Sequence, residues 1–122
     1  MQMLHHWIDG RAQTPESGGW LDVFNPATAQ PHARVARGNT RDIESAVAAA
    51  GAAFPGWSAL RNSERAAWLE KLAAALEARL DDFARAESLD GGKPFALARD
   101  IEIPRAIANL RDKLAEEFVV VG

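Results

Sequence analysis

"ESLDGGKP", residues 87–94, decides how this chain is read. Two adjacent glycines before a lysine suit either a loop that cradles a phosphate or the end of a helix. A phosphate loop needs glycine, a four-residue spacer, then glycine, lysine and a serine or threonine, running from a strand into a helix. Here Glu87 stands where the first glycine belongs and Pro94 replaces the hydroxyl residue, and the segment follows a helical pattern. Gly91 and Gly92 therefore read as a C-terminal cap taking positive φ, with Pro94 as the barrier to continuation. Glu87 and Asp90 then sit in the last turn, where the helix dipole disfavours a carboxylate by roughly 0.3–1 kcal/mol each. Neutralisation by Lys93 or Arg85 would offset that cost. So would a cation held by the Asp90 carboxylate.

Working back from this stop, Leu69, Leu72, Ala73, Leu76, Leu80, Phe83 and Ala84 recur as one apolar stripe. They predict a single long helix from about Asn62-Ser63, with those two residues as caps and Glu64 in the first turn. An earlier helix is expected after "GNT", where Ile43, Ala46, Val47, Ala50 and Phe54 keep helical spacing. Asp42 and Glu44 favour its positive end, and Pro55-Gly56 should end it. A third helix is expected from about Ile101, with Ile103, Ile107, Leu110 and Leu114 on one face and Pro104 in its first turn.

Residues 4–37 read as extended instead. "LHHWI" and "WLDVF" are short runs separated by the turn-rich "DGRAQTPESGG". In "WLDVF", Trp20, Asp22 and Phe24 share one face while Leu21 and Val23 share the other. Asn25-Pro26 marks a turn, after which "ARVAR" (33–37) returns as an antiparallel partner.

Composition bounds what these elements can do. A chain of 122 residues is one small domain. Its 48% hydrophobic fraction is dominated by alanine, with aromatics at 7%. Alanine removes little area from water, so such helices need close-fitting partners. A net charge of −3 with interspersed signs offers no basic stripe for nucleic acid. The absence of cysteine excludes disulfides, thiolate metal sites and a cysteine nucleophile. The start "MQMLHHWIDG" lacks the features of a signal peptide, and no apolar run reaches bilayer length. These features predict a cytoplasmic chain without a membrane partner.

Other candidate residues have ordinary readings. His5 and His6 point to opposite faces of a strand and cannot chelate together, so with His32 they read as surface histidines. Trp7, Trp20, Trp57 and Trp68 are expected to fill space between the extended segment and the helices. Ser63 and Ser88 look helix-terminal rather than nucleophilic, and Glu64 and Glu70 look solvated.

Taken in order, "WIDG" (7–10), "NPAT" (25–28), "AVAAAGAAFPGW" (46–57), "ERAAWLEKLA" (64–73) and "ESLDGGKP" (87–94) resemble the N-terminal part of the aldehyde dehydrogenase superfamily. The likeness runs from about Trp7 to Arg111. The segments "AFPGWS" (53–58), "DDFARAES" (81–88) and "FALARDIEIPRAIANLR" (95–111) look most like the 2-aminomuconic and 2-hydroxymuconic semialdehyde dehydrogenases. The resemblance implies an α/β family fold, of which this stretch supplies an N-terminal β-hairpin or extended segment and three α-helices, without the Rossmann-like sheet. It also implies a mechanism in which a cysteine thiolate attacks the aldehyde, hydride passes to NAD or NADP, and a glutamate activates water. None of those groups maps onto this chain, so no catalytic or cofactor-binding residue is expected in it and neither cofactor is expected to bind. One site does carry over from the resemblance: a monovalent cation, Na+ or K+, held by the Phe24 carbonyl before the "NP" turn and by Asp90.

After Arg111 the likeness fades. Residues 1–111 read as the N-terminal part of a cofactor-binding domain, and residues 112–122 as a divergent tail expected from a truncated or frameshifted gene. Two functions fit. One is the N-terminal portion of an NAD(P)+-dependent aldehyde dehydrogenase, inactive by itself. The other is a non-catalytic interaction module. Either predicts exposed apolar faces, self-association or association with a full-length homologue, and marginal stability.

Overall fold

The computed structural model describes the backbone of residues 1–120 and the side chains through Asp112. Leu114 and the 112–122 tail, both assigned roles from sequence, therefore lie outside the described side chains except for Asp112. The chain divides into two compact units, Met1–Ala59 and the residues from Leu60 onward.

In the first unit, β1 (Gln2–Leu4), β5 (Gln30–Ala36) and β4 (Trp20–Asn25) form a three-stranded sheet in the order β1-β5-β4. β4 and β5 pair antiparallel as the sequence predicts, and β1 pairs parallel to β5. The turn between β4 and β5 is built on Asn25. Its side chain accepts from the Ala27 N–H at 2.9 Å, its carbonyl accepts from Ala29, and Ala29 takes φ +56°. The register shifts between Val23 and Phe24, where β5 carries one extra residue, His32, between the partners Ala33 and Pro31.

A second hairpin, which the sequence reading folded into a long turn, pairs β2 (His6–Ile8) with β3 (Arg11–Gln13). Asp9 and Gly10 both take positive φ, +54° and +71°. That is the two-residue type I′ turn for which Asp-Gly is a strong signal.

The unit closes with α1 (Thr40–Ser58), which runs through Pro55-Gly56 rather than stopping there. Pro55 removes the bond its N–H would give to the Gly51 carbonyl, but Gly51 is exposed, so water can serve that carbonyl. The Pro55 carbonyl in turn accepts from Ser58 Oγ and the Ala59 N–H.

In the second unit the predicted single helix is two: α2 (Asn62–Ala78) and α3 (Leu80–Gly91), broken at Arg79. The N-cap of α2 is Arg61, not Asn62 or Ser63; the Glu64 carboxylate accepts from the Arg61 N–H at 2.8 Å. α3 ends at the glycine pair, with Gly92 at φ +74° as the left-handed cap and its N–H bonded to the Ser88 carbonyl; Gly91, read with it as taking positive φ, is instead the last helical residue.

The third helix starts earlier than expected. A short turn α4 (Phe95–Leu97) leads through a π-helical stretch, Ala98–Glu102, into α5 (Ile103–Val120). The wide turn lies just before Pro104, where the ladder loses a donor in any case, so the interruption falls where it costs least.

Buried positions are mostly alanine. The first unit buries Ile8, Ala33 and Ala36, and the second buries Ala73, Ala84, Ala98 and Ile107. No large described side chain is fully buried. Alanine at these contacts lets helix backbones approach closely, which is how so little apolar volume still yields a packed centre. No described helix is long and apolar enough to cross a membrane.

Candidate functional site

The densest polar constellation of the first unit gathers at the N-terminus of α1. Asn39 and Asp42 form a reciprocal capping box: Asn39 Oδ1 accepts the Asp42 N–H and Asp42 Oδ2 accepts the Asn39 N–H, each at 3.0 Å. The other Asp42 oxygen accepts the Glu16 N–H at 3.1 Å, and His6 Nε2 lies 3.5 Å from Oδ2. Glu16 is itself held by Asn39 Nδ2 at 2.7 Å and Arg41 at 2.9 Å. The Asn39 N–H holds the Asp42 carboxyl below its ordinary value; the Glu16 N–H and His6 act in the same direction, against the cost of leaving water. A carboxylate so engaged is a poor proton acceptor. It ties β2 and the loop after β3 to α1. His6 is thus a half-buried partner of this carboxylate, not the surface histidine expected; His32 is half-buried too.

In the second unit the glutamates read as solvated are engaged. Arg111 on α5 grips both Glu70 oxygens and reaches Glu77 at 2.9 Å, clasping α5 to α2. Glu77 is held below its ordinary value chiefly by this hydrogen bond. Arg99 bonds Asp81 at 2.9 Å. At the end of α3, Lys93 Nζ donates to Glu87 at 2.7 Å and lies 3.8 Å from Glu102. The Glu87 hydrogen bond raises the lysine's affinity for its proton. This is the neutralisation expected of Lys93, delivered to Glu87, while Arg85 turns to Asp82.

The two residues read as cation ligands fall in different units. Phe24 lies on β4 just past the bulge, opposite Pro31, which has no N–H to give. Asp90 lies in the last turn of α3. Among the described residues no group of three or more His, Cys, Asp or Glu side chains could hold a metal. The tryptophans do not fill the interior as expected: Trp7, Trp57 and Trp68 are exposed, Trp68 under Lys71, and Trp20 meets His5 edge-on.

The described residues do not fit a nicotinamide dinucleotide. Its pyrophosphate is commonly met by free N–H groups at a helix N-terminus. Here Asp42 and Glu64 put a carboxylate in the first turn of α1 and of α2, each accepting the N–H of the residue ahead of its helix, Asn39 or Arg61, and α3 begins with Asp81 and Asp82. The Gly91-Gly92 pair lies at the opposite, carbonyl end of its helix. A hollow of about 370 Å³ between the β2–β3 hairpin and α1 is lined by Trp7–Gly10 and by alanines 46–53, with Asp9 as its ionisable side chain. A second hollow, about 270 Å³ and lined by residues 77–82, carries three carboxylates to one arginine. Neither matches a polyanion.

Comparison with known proteins places this architecture. The Aldehyde dehydrogenase family matches residues 13–117. The chain is 43% identical over 109 residues to 2-aminomuconic semialdehyde dehydrogenase of Bos taurus, covering 89% of this chain and 22% of that protein. It is 41% identical over 112 residues to 2-hydroxymuconic semialdehyde dehydrogenase of Pseudomonas sp. strain CF600, 91% and 23% respectively. The NAD+ complex of aldehyde dehydrogenase from Bacillus cereus superposes with a TM-score of 0.93 at 31% identity, covering 99% of this chain and 25% of that one. The chain spans about a fifth of the length of the curated relatives it matches.

Proposed function

The chain belongs to the aldehyde dehydrogenase family, and from that premise we propose that it forms the N-terminal part of an NAD(P)+-dependent enzyme that oxidises a muconic semialdehyde to the carboxylic acid. The observation that carries the substrate class is the identity of 43% and 41% with two muconic semialdehyde dehydrogenases across nine-tenths of the chain. The cofactor is supported by the solved neighbour's complex with NAD+.

The part played by these residues is structural. Attack on the aldehyde by a thiolate needs a cysteine, and the chain has none. The first turns of α1, α2 and α3 carry the chain's own carboxylates, which disfavour a pyrophosphate there, so the cofactor site is assigned to other residues of the enzyme. What this stretch contributes is a pair of small, alanine-packed units presenting apolar faces.

The test is a chimera. These residues replace the matching region of the Pseudomonas 2-hydroxymuconic semialdehyde dehydrogenase, and oxidation of 2-hydroxymuconic semialdehyde is followed with NAD+. Retained NAD+-dependent oxidation is expected. A chimera that folds but has lost the reaction refutes the proposal, as does measurable NAD+ binding by the isolated chain.

A further inference from the structure

The chain contains Asp-Gly twice, at Asp9-Gly10 and Asp90-Gly91, and every other aspartate precedes a larger residue. Asp-Gly is the pair most open to one covalent change. The backbone nitrogen of the glycine can attack the carboxyl carbon of the aspartate side chain, because glycine has no side chain to block the approach.

The fold sorts the two pairs. Gly91 is the last residue of α3, so its N–H lies in the helix ladder, and the next N–H, of Gly92, is bonded to the Ser88 carbonyl at 3.0 Å. A nitrogen so placed cannot turn toward the neighbouring side chain until the end of the helix unwinds. Asp9 and Gly10 instead form the exposed two-residue turn of the β2–β3 hairpin. That turn is closed by the pairing of Ile8 with Arg11, which leaves the Gly10 N–H outside the ladder. A Cβ built on Gly10 would meet nothing within 4 Å, so its nitrogen is uncrowded.

We infer that Asp9 is a site of spontaneous isoaspartate formation, and that Asp90, in the same dipeptide, is protected by its helix. The Gly10 nitrogen bonds to the side-chain carboxyl carbon of Asp9 in its protonated form. The bond from that carbon to its hydroxyl breaks, and the hydroxyl leaves as water with the amide proton. The cyclic imide so formed takes water back at either carbonyl. Opening at the side-chain carbonyl restores aspartate. Opening at the main-chain carbonyl leaves the chain running through the Asp9 side chain, with the former main-chain carbonyl as a free carboxylate. Nothing is oxidised or reduced, and water is the sole co-reactant.

The isomer adds one carbon to the path of a turn built for two residues. Its strands are three residues each, and a two-stranded hairpin has little stability of its own. The hairpin is a sheet separate from β1, β5 and β4, so those strands need not follow it. His6 does follow, since it pairs with Gln13 in the hairpin and lies 3.5 Å from the Asp42 carboxylate. Isomerisation at Asp9 therefore loosens the hairpin from α1.

The experiment ages the purified full chain at neutral pH, native and in guanidinium chloride. Isoaspartate is located by methylation with a protein carboxyl methyltransferase that recognises its free carboxylate, followed by peptide mass spectrometry. In the native chain, labelling at Asp9 should exceed that at Asp90 by about tenfold or more, as expected for an exposed turn against a helical amide. In guanidinium the two sites should label alike, since the fold alone separates them. Asp9→Glu keeps the carboxylate on a longer side chain; it should abolish the label at position 9 and leave that at Asp90 unchanged. Equal native labelling, a native excess at Asp90, or a preference for Asp9 that persists undiminished in guanidinium would each overturn the inference. So would a native Asp9 that stays unlabelled while the unfolded one reacts. Hydrogen exchange of the aged chain should quicken over residues 6–13; unchanged exchange there would remove the structural consequence. The reaction needs no partner, so its outcome is independent of the chimera's.

Discussion

Two glycines one position apart should respond to alanine with opposite signs. Gly92 sits at φ +74°, ψ +11°, closing α3 in the left-handed region. A side chain there costs about 1–2 kcal/mol, because Cβ approaches the following carbonyl oxygen. Gly91 is still helical, and a Cβ built on it would meet only Glu87 Oε1, at 3.8 Å, an ordinary contact. Alanine at Gly91 should therefore stabilise by about 0.5–1 kcal/mol by restricting the unfolded chain. The two variants should differ by roughly 2 kcal/mol, a separation in Tm on the order of 10 °C for a domain this small. Urea titration followed by circular dichroism gives both midpoints, with the slope m unchanged if only stability moves. Equal shifts, or a Gly92→Ala variant indistinguishable from wild type, would refute the cap. Inorganic phosphate should leave all three proteins unmoved; protection by phosphate that Gly92→Ala abolishes would restore the cradle reading.

The remaining tests address the polar clasps and the packed alanines. Asn39→Ala removes one half of the capping box and should cost about 1 kcal/mol in urea unfolding. Asp42 has a folded pKa below its ordinary 3.8. Its stabilisation is therefore complete above that value and disappears as pH falls through the lower folded one. Asp42→Asn should flatten the acid limb of stability below about pH 4, where the wild type declines. Lys93 has the opposite sign. Its folded pKa lies above 10.5, so its contribution is complete below that value and lost as pH rises through the folded one. Lys93→Met should remove that alkaline decline. At the fully buried Ala98, substitution by leucine should overpack the contact between α3 and the π-turn and cost about 1–3 kcal/mol, read as a lower urea midpoint.

Much of the architecture was legible from local chemistry. The end of α3 follows from glycine's access to positive φ, the turn after β4 from Asn-Pro, and the antiparallel return of β5 from the run that follows it. The misreadings share a physical cause. Pro55 looks like a stop because proline removes a donor, yet at an exposed final turn water can serve the lost acceptor. The break at Arg79 has no glycine or proline to announce it. The available signal was Asp81-Asp82, acidic residues suited to a helix N-terminus, lying in the middle of an unbroken apolar stripe. The I′ hairpin escapes a periodicity reading because its strands are only three residues each, too short for alternation to register, and Asp9-Gly10 is its one local signal.

The polar partnerships were less legible, and for a different reason. Glu70 and Glu77 occupy what any helical projection would draw as a solvated face, and only the approach of α5 brings Arg111 over them. His6 meets Asp42 across 36 positions of chain. Charge pairing at that range is fixed by tertiary placement, and sequence spacing carries no trace of it. Glu87 is the instructive exception: Lys93 is close enough in sequence for the expected neutralisation to be read directly.

The apolar stripe of α1 shows where periodicity reaches its limit. Spacing marks Ile43, Ala46, Val47, Ala50 and Phe54 as one face, because all fall within the arc that helical geometry allows a buried stripe. It cannot say which neighbour takes which part of that arc. The hairpin leans on one edge of the stripe only lightly: Ala49 is half-buried beneath it, while Ala46, Ala50 and Ala53 stay exposed along with Ile43, Val47, Phe54 and Trp57. Periodicity reports the arc on which apolar residues gather, and the depth to which a neighbour buries that arc is decided by tertiary placement.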